Sequence, residues 1–196
     1  MGDTRIIAID GMGGDFAPQA VVDGLARFAR ERPATRFILF GDAAALKVLL
    51  DHHPEARDRT EIRHCERAVA MDDKPAQAVR QGRGTSMWDA IQAVKAEEAV
   101  AAVSAGNTGA LMAMSKLILR MVPGAHRPAL VGSWPTANGV SAVLDLGADI
   151  AADPGQLIEF AIMGVAFAHA VHHKPDPVVG LLNIGSEDLK GHEAIR

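Results

Sequence analysis

The chain has 196 residues, 48% of them hydrophobic and 22% charged, with a formal net charge of −4. That is the ordinary composition of a globular protein long enough for a sizeable core, and the negative net charge gives no sign of the basic face that nucleic-acid binding needs, so no nucleic-acid partner is expected. Cys65 is the single cysteine, so an internal disulfide framework is excluded and a reducing, cytoplasmic compartment fits.

The elements alternate along the chain. Met1–Arg5 leads directly into a β-branched run, Ile6–Ile9, without the regions of a signal peptide. A Gly-rich loop follows, then a helical pattern from Pro18 to Arg32. Phe37–Phe40 reads as a second strand, closed by Gly41-Asp42 and followed by a helix over Ala43–His53. Glu61–His64 reads as a third, partly exposed strand. Lys74–Ala99 is helical with a break near Gly82 and Gly84. Val100–Ser104 reads as a buried strand and Thr108–Met121 as a helix. Ala129–Gly132 and Ala142–Leu146 read as neighbouring strands with a turn at Asn138-Gly139. Pro154–His173 is a long helix, Val178–Leu182 a last strand, and Glu187–Arg196 the start of another helix. Its apolar stretch, Leu157–Val171, is interrupted by Glu159 and His169 and falls short of the ~20 residues of a membrane span. It reads as a buried or interface helix.

Strand, loop and helix repeated in this way predict an α/β fold: a doubly wound, mostly parallel sheet with helices on both faces. The whole of residues 1–196 reads as one α/β domain. Residues 68–84, polar and punctuated by Pro75, Gly82 and Gly84, read as a mobile or capping segment.

Ligands of open α/β sheets bind beyond the carboxyl ends of the strands. Four loops are therefore of interest: Asp10–Asp15, Ser104–Gly109, Asp145–Asp149 and Asn183–Gly191. All four are polar and Gly-containing, and all are expected on one edge of the sheet. A single such loop is often no more than a turn and a helix cap. In "SAGNTGA", residues 104–110, Gly106 and Gly109 permit close approach, Asn107 and Thr108 offer side-chain hydrogen bonds, and a helix start offers free N–H groups. That combination suits an anion, phosphate above all. The loop Gly11–Gly14 is neither a Walker A motif nor a clean dinucleotide fingerprint. Asp10 and Asp15 beside it can cap, orient basic groups or bind a metal. Lys74, Arg80, Arg83, Arg127 and Lys190 are the cations available to balance a phosphate, and Lys190 stands on the expected rim. His169, His172 and His173 have the spacing of metal ligands on a helix, and equally that of cations at a helix end. Ser104 is outside any nucleophile-elbow pattern. Cys65 reads as an inert buried thiol.

The segments "AIDGMGGDFAP", "KPAQAVRQGRGTSM", "VSAGNTGALM", "RPAL", "VLDLGAD", "FAIMG" and "LLNIGSEDLKG" occur in this order. Together they resemble the phosphate acyltransferase family of bacterial phospholipid synthesis, known as PlsX, over essentially the whole chain. The resemblance implies a fold similar to the isocitrate and isopropylmalate dehydrogenases, but without nicotinamide; no cofactor is expected, and no residue is assigned as a metal ligand. It implies transfer of a fatty acyl group from acyl carrier protein to inorganic phosphate, giving acyl phosphate. It implies a cytoplasmic or membrane-peripheral homodimer. The family's catalytic lysine falls on Lys190; its phosphate and substrate loops fall on Asp10, Gly13 and Gly14, on Gly106, Asn107, Thr108 and Gly109, and on Asn183 and Gly185. The family continues past this point with a Cys-Asp-Gly-Phe-x-Gly-Asn motif, so the resemblance implies a C-terminally truncated chain. Two alternatives stand beside it: a catalytically incomplete fragment that keeps a phosphate or acyl-phosphate site, and a coenzyme A-dependent phosphotransacylase of similar fold.

Overall fold

The computed structural model describes residues 5–147 and 152–182. These fall into two compact units, Met1–Val122 and Pro123–Arg196.

The first unit contains β1 (Ile6–Asp10), α1 (Gln19–Glu31), β2 (Arg36–Gly41), α2 (Ala43–Leu50), α3 (Pro54–Arg57), β3 (Thr60–His64), α4 (Pro75–Gln81), α5 (Ser86–Lys95), β4 (Ala101–Val103) and α6 (Thr108–Leu119). Its strands form a four-stranded parallel sheet in the order β3-β2-β1-β4. Side chains alternate across a strand, so neighbouring residues serve opposite faces. Ile7, Ile9, Phe37, Leu39 and Ile62 meet Val22, Leu25 and Ala29 of α1, Leu46 and Leu50 of α2 and Ala56 of α3. Ile6, Ala8, Ile38 and Phe40 meet Ala90, Ala93 and Val94 of α5 on the other face. Both faces of the central strands are thus covered, which is why they read as unbroken apolar runs. A further layer joins α4, α5 and α6 through Ala78, Met87, Trp88, Ile91, Met114 and Ile118.

Local signals set the boundaries. The Asp42 carboxylate accepts from the N–H groups of Ala44 (3.0 Å) and Ala45 (3.4 Å) and starts α2. The Thr85 hydroxyl accepts from Trp88 N–H and starts α5. Between α4 and α5, Gly84 takes φ +76°, a conformation that breaks the helical run where the sequence places the break, near Gly82 and Gly84. Strand β4 departs from expectation: Val100 and Val103 are exposed, since among the described residues β1 is its one neighbour in the sheet.

The second unit contains β5 (Gly132–Thr136), β6 (Gly139–Val143) and α7 (Pro154–His172). β5 and β6 pair antiparallel, with Trp134 opposite Ser141. The hairpin turn falls on Ala137-Asn138, one residue earlier than the sequence predicts, and Gly139 at φ +117° opens the return strand. Ala129–Val131 is not a strand. Leu130 spends its N–H on the Asp145 carboxylate (2.8 Å) and its carbonyl on Leu146 N–H (3.0 Å) instead of on a ladder. Val178–Leu182 is not a strand either: its apolar residues have β propensity, but among the described residues no strand pairs with them, and Val178 and Leu182 are exposed.

A capping box starts α7: Asp153 accepts from Gln156 N–H (2.9 Å) while the Gln156 side chain accepts from Asp153 N–H (2.8 Å). Of its residues only Phe160 and Ala168 are buried, and Ile158, Ile162 and Val171 are exposed. The helix is therefore partly covered rather than buried. By length and composition alone it also meets the requirement for crossing a membrane.

Candidate functional site

In the order β3-β2-β1-β4 the chain moves outward from β1 through β2 to β3, then returns to the far side of β1 to lay down β4. The connections on either side of β1 diverge there, at the carboxyl ends of β1 and β4, which is the switch point where open α/β sheets place their ligand crevice. Asp10–Asp15 follows β1 and Ser104–Gly109 follows β4. These two predicted loops meet at the switch point. The loop from Asp145 belongs to the chain after β6 in the second unit, so the expectation of four loops on one sheet edge is corrected: β6 pairs with β5 and does not join the parallel sheet. Asn183, Gly185 and Lys190 lie outside the described residues.

The two loops are tied together by Asp10, which is 2% exposed. Ser104 Oγ donates to its Oδ2 at 2.7 Å, and Met12 N–H donates to Oδ1 at 3.2 Å. Ser104 Oγ in turn accepts from Gly106 N–H at 3.0 Å. A carboxylate, a hydroxyl and a backbone amide thus form one chain of bonds across the crevice floor. Glycines allow this approach. A Cβ at Gly13 would collide with Asp10 Oδ2 and stand 2.8 Å from Ser104 Oγ and 3.0 Å from Gly106 N. At Gly14, φ +104° and a Cβ position 2.9 Å from the Ala105 carbonyl oxygen both exclude a side chain. The sequence places Ser104 at the start of this loop and sets it aside as a nucleophile; its part in the brace carries no signal beyond following β4 directly, where any small residue could stand in a turn.

Asn107 caps α6 by accepting from Ala110 N–H at 3.0 Å. Its amide NH2 donates to three carbonyls of the preceding segment: Ala70 (3.3 Å), Met71 (3.0 Å) and Asp73 (2.9 Å). The Asn107 side chain is therefore committed to its own chain. Gly109 packs against Pro75, whose Cγ lies 2.7 Å from where a Cβ would stand. Thr108, at the first position of the helix, is exposed. The N–H groups of Thr108 and Gly109 precede the first intrahelical bond and are the donors this turn has to offer, at the positive end of the helix dipole.

The other candidates take separate places. Lys74 precedes α4 and is exposed, as are Arg80 and Arg83. In the second unit Arg127 stands 3.6 Å from Asp145, a carboxylate 2% exposed. His169 bonds the Pro175 carbonyl (2.9 Å), His172 bonds Ser133 Oγ (2.9 Å) and packs edge-on to Phe167, and His173 ends α7 at φ +53°. Cys65 is buried at the end of β3, its Sγ donating to Asp89 Oδ2 at 3.4 Å. Burial, that hydrogen bond and the charges of Asp89 and Asp10 push the thiol up to about 12.

The first unit is thus a parallel α/β sheet with two loops braced against each other at the β1–β4 switch point. Its architecture is similar to that of a phosphotransacetylase from Streptococcus pyogenes, with a TM-score of 0.60 and 21% identity over 83% of this chain and 53% of that one. The family model for fatty acid synthesis protein matches residues 5–196, and the chain belongs to that family. It is 56% identical to a phosphate acyltransferase of Caulobacter vibrioides, over all of this chain and 54% of the relative. It is 53% identical to one of Phenylobacterium zucineum, over all of this chain and 56% of the relative, and 51% identical to one of Brucella ovis, over 97% and 55%. The chain thus spans about half the length of the curated relatives it matches.

Proposed function

We propose that this chain carries the phosphate-binding half of an acyltransferase that moves a fatty acyl group from acyl carrier protein to inorganic phosphate. The observation that carries the reading is the pair of loops braced by Asp10 and Ser104 at the switch point, with the first-turn N–H groups of Thr108 and Gly109 in α6, which have no partner among the described residues. Support comes from relatives that bear the name phosphate acyltransferase.

The chemistry asks little of the protein beyond binding and placement. A phosphate oxygen attacks the thioester carbonyl carbon; the new C–O bond forms and the C–S bond breaks. The leaving thiolate, with a pKa of about 8.5, departs without strong acid catalysis and takes its proton from solvent. What remains is to hold phosphate against the carbonyl and to meet the oxyanion that develops. In this reading the N–H groups of Thr108 and Gly109 hold phosphate. Gly13, Gly14 and Gly106 let the two loops close on each other beside the phosphate, and Asp10 fixes them. Lys190 neutralises phosphate or the oxyanion, and Asn183 and Gly185 complete the rim. The proposal extends to the finer fold, similar to the isocitrate and isopropylmalate dehydrogenases, and to a cytoplasmic homodimer touching the membrane peripherally.

The test is a steady-state assay of the purified chain with long-chain acyl carrier protein and phosphate, following free carrier thiol. Phosphate-dependent release that is lost in Lys190→Ala, with the circular dichroism spectrum unchanged, supports the reading. Undiminished turnover in that variant removes Lys190 from the mechanism. Absence of release from the folded chain makes it a catalytically incomplete piece, and release with acyl-coenzyme A alone makes it a phosphotransacylase of the second kind.

A further inference from the structure

Segment 68–84 touches the first turn of α6 at two points on either side of Lys74. On one side the Asp73 carbonyl accepts from the Asn107 amide at 2.9 Å, with Ala70 and Met71 sharing the same NH2 group. On the other, the Pro75 ring lies against Gly109. The backbone of Lys74 is thereby pinned between two contacts with the first turn of α6. Its own conformation, φ −66° and ψ 133°, is the extended one that precedes a helix, and its side chain caps nothing. The neighbouring Asp73 carboxylate is turned inward to Ala70 N–H at 2.9 Å. Among the described residues the Lys74 ammonium makes no hydrogen bond or ion pair.

We infer that Asn107 is a positioning residue: its amide fixes segment 70–75 on the first turn of α6 so that the Lys74 ammonium stands as a cation for the phosphate of that site. The inference rests on the phosphate-site reading above and assigns Asn107 a different part in it. Its carboxamide is spent on protein carbonyls, so it acts on the anion through Lys74. An asparagine suits both duties at once. Its oxygen caps the helix, as Ser or Asp would do equally well, but only an amide adds a neutral NH2 donor that converging carbonyls can share.

That difference supplies the test. Asn107→Ser keeps a capping oxygen and adds no charge, but loses the shared NH2 group. Phosphate affinity is measured by calorimetry on the full chain, on Asn107→Ser, on Lys74→Ala and on the double variant, with hydrogen exchange followed over residues 68–75. Each single change is expected to weaken phosphate binding about fivefold, the scale of one exposed charge interaction. The double variant should match Asn107→Ser within twofold, because the two residues act in series. Exchange at 70–73 should speed up in Asn107→Ser while α6 stays protected. Effects that multiply in the double variant, or unchanged exchange at 70–73, overturn the coupling. Phosphate bound by the wild type and equally by Lys74→Ala overturns the inference and leaves the site intact. A wild-type chain that binds no phosphate overturns the site reading itself, and with it the part assigned to Lys74.

Discussion

Replacing Gly13 by Ala tests whether the two loops at the switch point are held as closely as described. Gly13 does not occupy the left-handed region, so Ala is permitted by its backbone and the whole effect is one of contact. The new methyl would meet the Asp10 carboxylate, Ser104 Oγ at 2.8 Å and Gly106 N at 3.0 Å. Two of these atoms belong to the opposite loop, and all three take part in the same chain of hydrogen bonds. Overpacking a tight site costs about 2 kcal/mol. Stretching the bond to a buried carboxylate adds about 1 kcal/mol, part of what a charged hydrogen bond contributes. The expected loss is then about 3 kcal/mol. With a urea dependence of about 2 kcal/mol per molar, the unfolding midpoint of the first unit should fall by about 1.5 M. The assay is urea unfolding followed by Trp88 fluorescence, since Trp88 is buried in that unit. A midpoint within about 0.3 M of wild type, on the same slope, would show that the loops part freely and that the brace is not rigid.

Gly24 gives the opposite expectation. It lies inside α1 with nothing within 4 Å of an added Cβ, so Gly24→Ala should stabilise by about 0.5–1 kcal/mol and raise the same midpoint. Cys65 supplies a pH dependence. Its thiol is pushed up to about 12 in the fold by burial first and by Asp89 next, against about 8.5 in the unfolded chain. A folded pKa raised in this way gives stability that is complete below about 8.5 and lost as pH rises from there toward the folded value. Comparing wild type with Cys65→Ala, the wild-type protein should lose more stability between neutral pH and pH ~10.5. A native thiol that iodoacetamide alkylates at an unfolded-like rate near pH 8.5 would count against the buried, Asp89-bonded placement.

Much of this was legible in the residues. The central strands show as apolar runs because helices cover both of their faces, and Asp42, Thr85 and Asn107 mark helix starts by capping chemistry that is local in sequence. What failed depends on partners distant in the chain. Val178–Leu182 has strand composition, yet a strand exists only where another one pairs with it. Val100 and Val103 read as buried, but their exposure is decided by which neighbours β4 has. Leu130 was misread because an Asp145 carboxylate, fifteen residues on, takes the N–H that a ladder would have used. At the site, the glycines and Asn107 were visible as types suited to close approach. The use of the Asn107 amide on segment 70–73, and the part of Ser104, were not visible, because both are fixed by contacts between elements far apart in sequence.

The bond between Asp10 and Ser104 joins residues 94 positions apart. β1, β2 and β3 can pair with one another before that contact exists, since each needs only the stretch of chain just made. The crevice cannot: it comes into being when β4 closes the largest loop of the sheet, the step that carries the greatest entropic cost and gains its contacts last. Any ligand of the crevice therefore recognises only chains in which this closure is complete. Its binding energy goes entirely to the finished sheet, and a partly assembled one with three strands in place receives none of it.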